Sequence, residues 1–410
     1  MLLSVTHGVR RIRSRMESIL LEVAILGAGV AGLASAIALK KVGIAVRVFE
    51  RRESVHNLGA GVVCWPNATF VLSELGILDE LMAVAGRITA MRRFTRNDVE
   101  LGILDVGQLD DEMGFPSLAV LREYLMRVLL KRAEECEIPI AFNAHATSIE
   151  RTGDCCQVMF DDGNSISPAL IIGADGRMDS KARQFITNDN RPVYQGFVNW
   201  IGIHRWEQPE FDRLEVHDYW GVGARFGVVP VSAHTAYWAG GLAVSDVSLA
   251  QDHPSIDQLK QAFDDWPDPV GEIVRSASDS KTKCVPLFDH NPVPNWHRDN
   301  VLMIGDAAHA ALPTSGQGAA QALEDAWFLA REISASAGDL ETAMAEFTRK
   351  RFNKTTRVIM GGRAFASSLF ESDAKACALR DQKAVETDYT AMASGMASAW
   401  SDGLPIGGQH

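Results

Sequence analysis

The chain has 410 residues, 47% hydrophobic and 22% charged, and 40 Lys and Arg against 52 Asp and Glu give a formal net charge of −12. That length can bury a large core and, at about 100–200 residues per domain, predicts two or three structural units. The acidic balance argues against nucleic acid or an anionic membrane as partner, no apolar stretch approaches the ~20 residues of a membrane span, and six cysteines without a regular framework suit a reducing cytoplasm.

Residues 1–16 read as an N-terminal extension. Arg10, Arg11, Arg13 and Arg15 occur there without an acid and without the apolar core of a secretory signal, and Met16 reads as the natural beginning. Val23–Leu26 then reads as a buried strand, Gly27-Ala28-Gly29-Val30-Ala31-Gly32 follows at once, and Leu33–Lys40 has the small and apolar residues of a helix packed on a sheet. Gly27 permits a tight turn, Gly29 lets backbone approach a pyrophosphate, and Gly32 lets helix and strand pack closely. The helix N-terminus adds free N–H groups and a positive dipole end. A second strand, Ala45–Phe49, ends in Glu50, 21 residues beyond Gly29, where a carboxylate accepts hydrogen bonds from an adenosine ribose. Arg51 beside it joins the cofactor candidates. Glu50 in place of a basic residue favours an unphosphorylated ribose. This motif alone does not separate NAD from FAD.

Two later segments bear on that choice. Gly173-Ala174-Asp175-Gly176 lies mid-chain, and Val301–Ile304 reads as a buried strand ending in Gly305-Asp306, followed by Pro313 and by Gly316-Gln317-Gly318 at the start of a helix through Trp327. A carboxylate at a strand end can hold a polyol chain, and a glycine-rich helix start presents N–H donors to the pyrimidine edge of an isoalloxazine. That pair suits a flavin, so the expected cofactor is FAD. His309, beside this motif, reads as a structural hydrogen-bonding group more than a base. Gly221–Gly227 imitates a dinucleotide loop, but its final spacing is wrong and no helix follows, so it reads as a hairpin. No His, Cys and Asp set has metal-ligand spacing, and Cys155-Cys156 is too close for chelation or an unstrained disulfide.

On the joint spacing of GxGxxG, GADG and GDAAHxxxPxxGQG, roughly residues 20–370 resemble the class A flavoprotein monooxygenases, the family of para-hydroxybenzoate and salicylate hydroxylases. The resemblance implies an α/β fold in which a Rossmann-like FAD-binding domain (17–88, 116–186 and 284–340) is interleaved with a mixed β-sheet substrate domain (89–115 and 187–283), with a C-terminal helical segment at 341–400. It also implies that Glu50 binds the adenosine ribose, Arg122 the FAD phosphate or ribityl region, and Asp306 the ribityl hydroxyls. Asp175 belongs to the segment linked with both FAD and NAD(P)H. Read from the residues alone, Arg122 could be a solvated helix arginine and Asp175 the cap of a turn. One departure stands out: the family reads GADGxxSxxR, and Arg177–Arg183 carries one extra residue before Ser180, which bears on the loop geometry and on NAD(P)H affinity.

A closer likeness, to the FAD-dependent urate hydroxylases of bacterial purine breakdown, is carried by 59–67, by 194–200, and by Arg225 and Tyr237 around Val228–Ser232. It implies that Arg225 holds the substrate, with Tyr237 and Asn199 lining the same pocket. The residues themselves predict antiparallel strands at Gly227–Val231 and Tyr237–Ala243 with a turn at Ser232–Thr235. An arginine on such a sheet can pair with a planar anion such as urate by a fork of N–H donors. It could equally be a surface charge on an edge strand, and Tyr237 a half-buried sheet residue. The family chemistry implies that NADH or NADPH reduces FAD, and that molecular oxygen forms a flavin C4a-hydroperoxide which hydroxylates a small aromatic or purine ring, for urate giving 5-hydroxyisourate. The alternatives are a salicylate, hydroxypyridine or phenazine hydroxylase, another oxidoreductase on this fold, or a redox-sensing flavoprotein. The sequence is silent on NADH against NADPH and on oligomeric state. Ser401–His410, polar and glycine-rich, is expected to be loose.

Overall fold

The computed structural model describes residues 22–55, 60–153, 155–252 and 254–407. The N-terminal extension and Gly59 of the urate-hydroxylase-like segment lie outside them.

The strand Glu22–Leu26 carries four consecutive buried apolar residues, the pattern of a strand covered on both faces. It pairs in parallel with Ala45–Phe49 on one side, Ile25 opposite Val48, and with Leu170–Gly173 on the other, Ile25 opposite Ile172. Leu170–Gly173 pairs in turn with Val301–Met303, and a six-stranded sheet results whose other members are Ile140–Ala141 and His297–Arg298. All three glycine-and-acid segments therefore leave the same sheet at neighbouring strand ends, where ligands of open α/β sheets bind. The helix Val30–Lys41 packs on that sheet with residues 30–39 all buried, and against the helix Gly318–Ala335.

The second sheet has seven strands in the order Thr282–Asp289, Val193–Arg205, Thr235–Ala243, Ala224–Ser232, Glu215–Trp220, Ala90–Thr95 and Glu100–Asp105. All its neighbours are antiparallel except Glu215–Trp220 with Ala90–Thr95. The expected hairpin at 221–227 and the turn at 232–235 both lie where the sequence puts them. Because Thr282–Asp289 stays in this sheet throughout, the expected domain boundary at 284 falls inside a strand.

A 30-residue helix, Leu340–Leu369, and two shorter ones, Ala374–Val385 and Tyr389–Ser401, follow. The segment expected to be loose is held as far as it is described: Lys354 Nζ donates to the carbonyls of Trp400 and Asp402, Arg357 pairs with Asp402, and Leu404 is buried. Among the described residues no helix is long and apolar enough to cross a membrane, and no cluster of three or more His, Cys, Asp or Glu is arranged for a metal ion.

Candidate active site

A cavity of about 560 Å³ runs from the first glycine loop to the inner face of the seven-stranded sheet. Gly27, at φ +106°, makes the turn, and a Cβ there would lie 2.3 Å from the Ala174 carbonyl oxygen. A Cβ on Gly32 would lie 1.9 Å from the Gly27 carbonyl oxygen, which is the close helix–strand packing the motif predicts. Gly29, on the cavity wall and immediately before the helix, has nothing within 4 Å of its Cβ position. No protein group needs a glycine there, so the space serves whatever lies against the helix N-terminus. Glu50 is buried, and it ties the loop to the second strand by accepting from Ala28 N (2.8 Å) and Arg52 N (3.0 Å).

Around this end the wall carries Arg51, Arg52, Arg122, Arg177 and Lys181 together with Glu50, Asp175, Asp179 and Asp306, Lys181 being paired with Asp179 at 2.8 Å. Arg122 opens the helix Arg122–Glu135, and its backbone N–H donates to Ala60 O at 3.2 Å. Burial lowers its pKa, and the nearby Arg177 and Arg52 lower it further, against the carboxylate of Asp306. Arg122 is thus an enclosed wall residue and not a solvated helix arginine. Arg51 is exposed at the rim.

Asp175 spends both carboxylate oxygens on its own segment, taking Ser180 Oγ (2.6 Å) on one and the N–H groups of Lys181 (2.6 Å) and Ala182 (3.3 Å) on the other. Burial pushes its pKa up, and these donors pull it down. The capping alternative is thus its observed contact pattern, on the cavity wall. The extra residue is absorbed between Gly176, at φ +83°, and Ser180. Ser180 still caps the helix Lys181–Thr187, and Arg183 reaches across to the carbonyls of Ala307 (3.1 Å) and Ala308 (3.3 Å). His290 Nε2 donates to the Arg177 carbonyl at 2.6 Å, and Arg177 itself lies 3.5 Å from Asp306.

Asp306 begins the short helix Asp306–His309 with its side chain 41% exposed, and Pro313 stands beside it on the wall. Gly316, at φ +63°, and Gly318 are set back from the wall, and Trp65 Nε1 donates to the Gly316 carbonyl at 2.9 Å. Behind them lies a buried polar network the sequence did not reveal. Asp325 accepts from Gly305 N (2.8 Å), His309 Nε2 (2.6 Å) and Arg351 Nε (2.8 Å). Glu324 pairs with Arg351 and Lys354, and Asn67 donates to Glu324 and to Gln317. Burial would raise the Asp325 pKa, but His309 and Arg351 outweigh it and hold the carboxyl below its ordinary value. His309 therefore has the structural role its motif predicts.

At the other end the wall is the sheet. Asn199 is 6% exposed, and its side-chain amide has no hydrogen-bond partner among the described residues. Its Oδ1 lies over Gly241, where a Cβ would meet it at 2.4 Å and the Phe370 ring at 2.7 Å. Tyr237 shares the wall, its ring against Gly61, and burial drives its pKa far up, so the hydroxyl stays protonated. Ile201, Val285 and Leu287 make the remainder apolar. Arg225 is not on the wall. It lies on the same face of the sheet, opposite Gly241, with its Nε donating to Asp218 at 2.5 Å.

Residues 21–346 match the FAD binding domain family. The chain belongs to that family. It is an FAD-dependent monooxygenase, 31% identical over 373 residues to 3-amino-4-hydroxybenzoate 2-monooxygenase of Streptomyces cremeus, covering 88% of this chain and 91% of the relative. Aurachin C monooxygenase/isomerase of Stigmatella aurantiaca is 29% identical over 365 residues (88% and 93%), and the FAD-dependent urate hydroxylase of Klebsiella pneumoniae 28% over 345 (83% and 88%). The crystal structure of Klebsiella pneumoniae HpxO complexed with FAD and uric acid superposes with a TM-score of 0.84 at 25% identity, over 94% of this chain and 97% of that one. The cavity has features that suit the cofactor: open space at Gly29 beside a helix N-terminus, cationic side chains on the same part of the wall, and a carboxylate, Asp306, at a strand end. Arg52, Arg177 and Asp218 were not singled out in the sequence. The first two adjoin recognised motifs, whereas nothing local marks Asp218.

Proposed function

We propose that this monooxygenase uses NADH or NADPH and molecular oxygen to hydroxylate a small, planar, electron-rich aromatic or heteroaromatic ring held against the seven-stranded sheet. The observation that carries the reading is Asn199, an amide on the cavity wall without a protein partner among the described residues, next to the apolar Ile201, Val285 and Leu287 and sharing the wall with Tyr237. The amide opens onto the cavity, so a ring bearing hydrogen-bonding atoms can pair with it at a net gain of about 0.5–1.5 kcal/mol. Arg122 and the helix at Val30 would hold the pyrophosphate, Glu50 the adenosine ribose and Asp306 the ribityl chain. Bound FAD supplies the redox chemistry, taking electrons from the nicotinamide and activating oxygen for transfer to the ring. The residues at the ring end position the ring and exclude water from it. One oxygen atom enters the ring as hydroxyl, the ring losing a proton from the attacked carbon or, for urate, whose C5 carries none, from a ring nitrogen, and the other leaves as water.

Urate, with 5-hydroxyisourate as product, is the first ring to try, supported by Asn199 and Tyr237 on the wall, by Arg225 on the same face of the sheet, and by the relatives that act on it. NADH oxidation in air by the FAD-loaded protein should rise on adding the right ring, with ring loss matching NADH loss and little peroxide. Asn199→Ala should lower that stimulated rate roughly 10-fold, the equivalent of one lost hydrogen bond, with FAD content unchanged. Asp306→Ala should lose FAD, measured as the flavin-to-protein absorbance ratio. If no ring in a panel of urate, phenols, hydroxypyridines and quinolines stimulates oxidation, the hydroxylase reading fails.

A further inference from the structure

We propose that Asp218 determines which rings the site accepts: it holds Arg225 as one half of a charge-compensated pair, so that the chamber favours a neutral ring with acceptor atoms over an anionic one. The proposal rests on the hydroxylase reading and narrows its substrate class.

Cross-strand register puts Asp218, Gly227, Ala239 and Ile201 in one row, and Ala239 and Ile201 line the cavity. Side chains directly opposite one another in such a row share a face of the sheet. Asp218 is buried, one carboxylate oxygen taking Arg225 Nε at 2.5 Å and the other Trp220 Nε1 at 2.9 Å. The indole fixes the carboxylate, and the carboxylate fixes the arginine. Arg225 bends onto this row because Gly227 has no side chain, its guanidinium lying 2.7–3.0 Å from where a Cβ would be. Its planar group therefore rests beside Ala239, at the edge of the chamber and 22% exposed. The two terminal nitrogens have no protein acceptor among the described residues, so they remain donors for a ligand.

The positive charge on those donors is already matched. Two opposite unit charges in contact cancel most of each other's field a few ångströms away, so an anionic ring would be desolvated without a net counter-charge to receive it. Arg93, opposite Asp218 in the register, adds a further cation. Its guanidinium keeps that charge but lies off the cavity wall, donating to the Tyr389 hydroxyl at 3.2 Å and stacking on Trp220 and Tyr389. With Ile201, Val285 and Leu287 for walls and a neutral amide at Asn199, the wall at this end offers hydrogen bonds and carries no charged side chain. It follows that neutral rings rank above the urate monoanion.

The test compares benzamide with benzoate, probes of matched shape and different charge, by the perturbation each causes in the flavin absorbance of the FAD-loaded protein. Wild type should bind benzamide more tightly. Asp218→Asn keeps the shape and an acceptor for Arg225 but removes the negative charge, and should move the preference roughly tenfold towards benzoate, whereas Asp218→Glu should keep the wild-type order. Tighter benzoate binding by wild type would overturn the proposal, and that measurement needs no variant to fold. So would an Asp218→Asn protein that loads FAD and keeps the wild-type ratio within about twofold. If neither probe perturbs the flavin, the ring site itself is misassigned, which sinks the hydroxylase reading along with the inference.

Discussion

At the cofactor end of the cavity, short turns leave parallel strands, backbone N–H groups point inward, and arginines from separate segments converge. At the ring end the wall is the sheet itself, and what faces the chamber is decided row by row by strand register. The first end is fixed by geometry: Gly27 and Gly32 are required by carbonyls 2.3 and 1.9 Å from where their side chains would begin. The second tolerates different side chains on an unchanged backbone. Relatives named for different substrates fit that contrast, since a ring site can be rebuilt without disturbing the nucleotide site.

Removing Arg351 tests how far the cofactor end depends on what lies behind it. Arg351→Ala leaves Glu324 and Asp325 buried without their main counter-charge, at a cost of about 3–5 kcal/mol. Denaturant titration should show that loss together with weaker FAD retention, and near-wild-type stability would mean the network is incidental. The two glycines divide more finely. Gly32→Ala should destabilise the protein even without cofactor, by about 3 kcal/mol of overpacking. Gly29→Ala should leave unloaded stability within about 1 kcal/mol and weaken only FAD binding, because its side chain points into open space. Equal stability losses would erase the distinction drawn here. The smallest effect concerns His290. Burial is the main cause that lowers its pKa, so its folded value lies below the unfolded one. Its contribution is therefore present above about pH 6.5 and is lost as pH falls through the depressed folded value. Stability should accordingly fall modestly below about pH 6.5 in a denaturant titration, and His290→Gln should flatten that part of the profile. An unchanged profile in the variant would remove His290 as its cause.

Legibility in the sequence followed the same divide. The glycine loop, Glu50, Asp306 and the hairpin could be read because each depends on residues within one short segment, where turn chemistry and strand alternation are local. Asp218 could not, since its meaning comes from lying beside Gly227 across a strand pair, and Gly227 matters only because Arg225 folds over it. Asp175 is part of a recognised motif, yet one of its oxygens caps the following helix and the other holds the Ser180 hydroxyl, a use that only the loop geometry reveals. The segment after Ser401 looked loose by composition. Its anchor, Lys354, lies in another helix and is itself held by a buried acid.

That anchor also sets an order of events during synthesis. The loop beginning at Gly27 is complete early, but Lys354 meets its carbonyl partners at Trp400 and Asp402 only after nearly the whole chain has emerged. One lysine thus fastens the last helix of the described chain to the buried acid behind the last flavin motif, a contact that spans 48 residues.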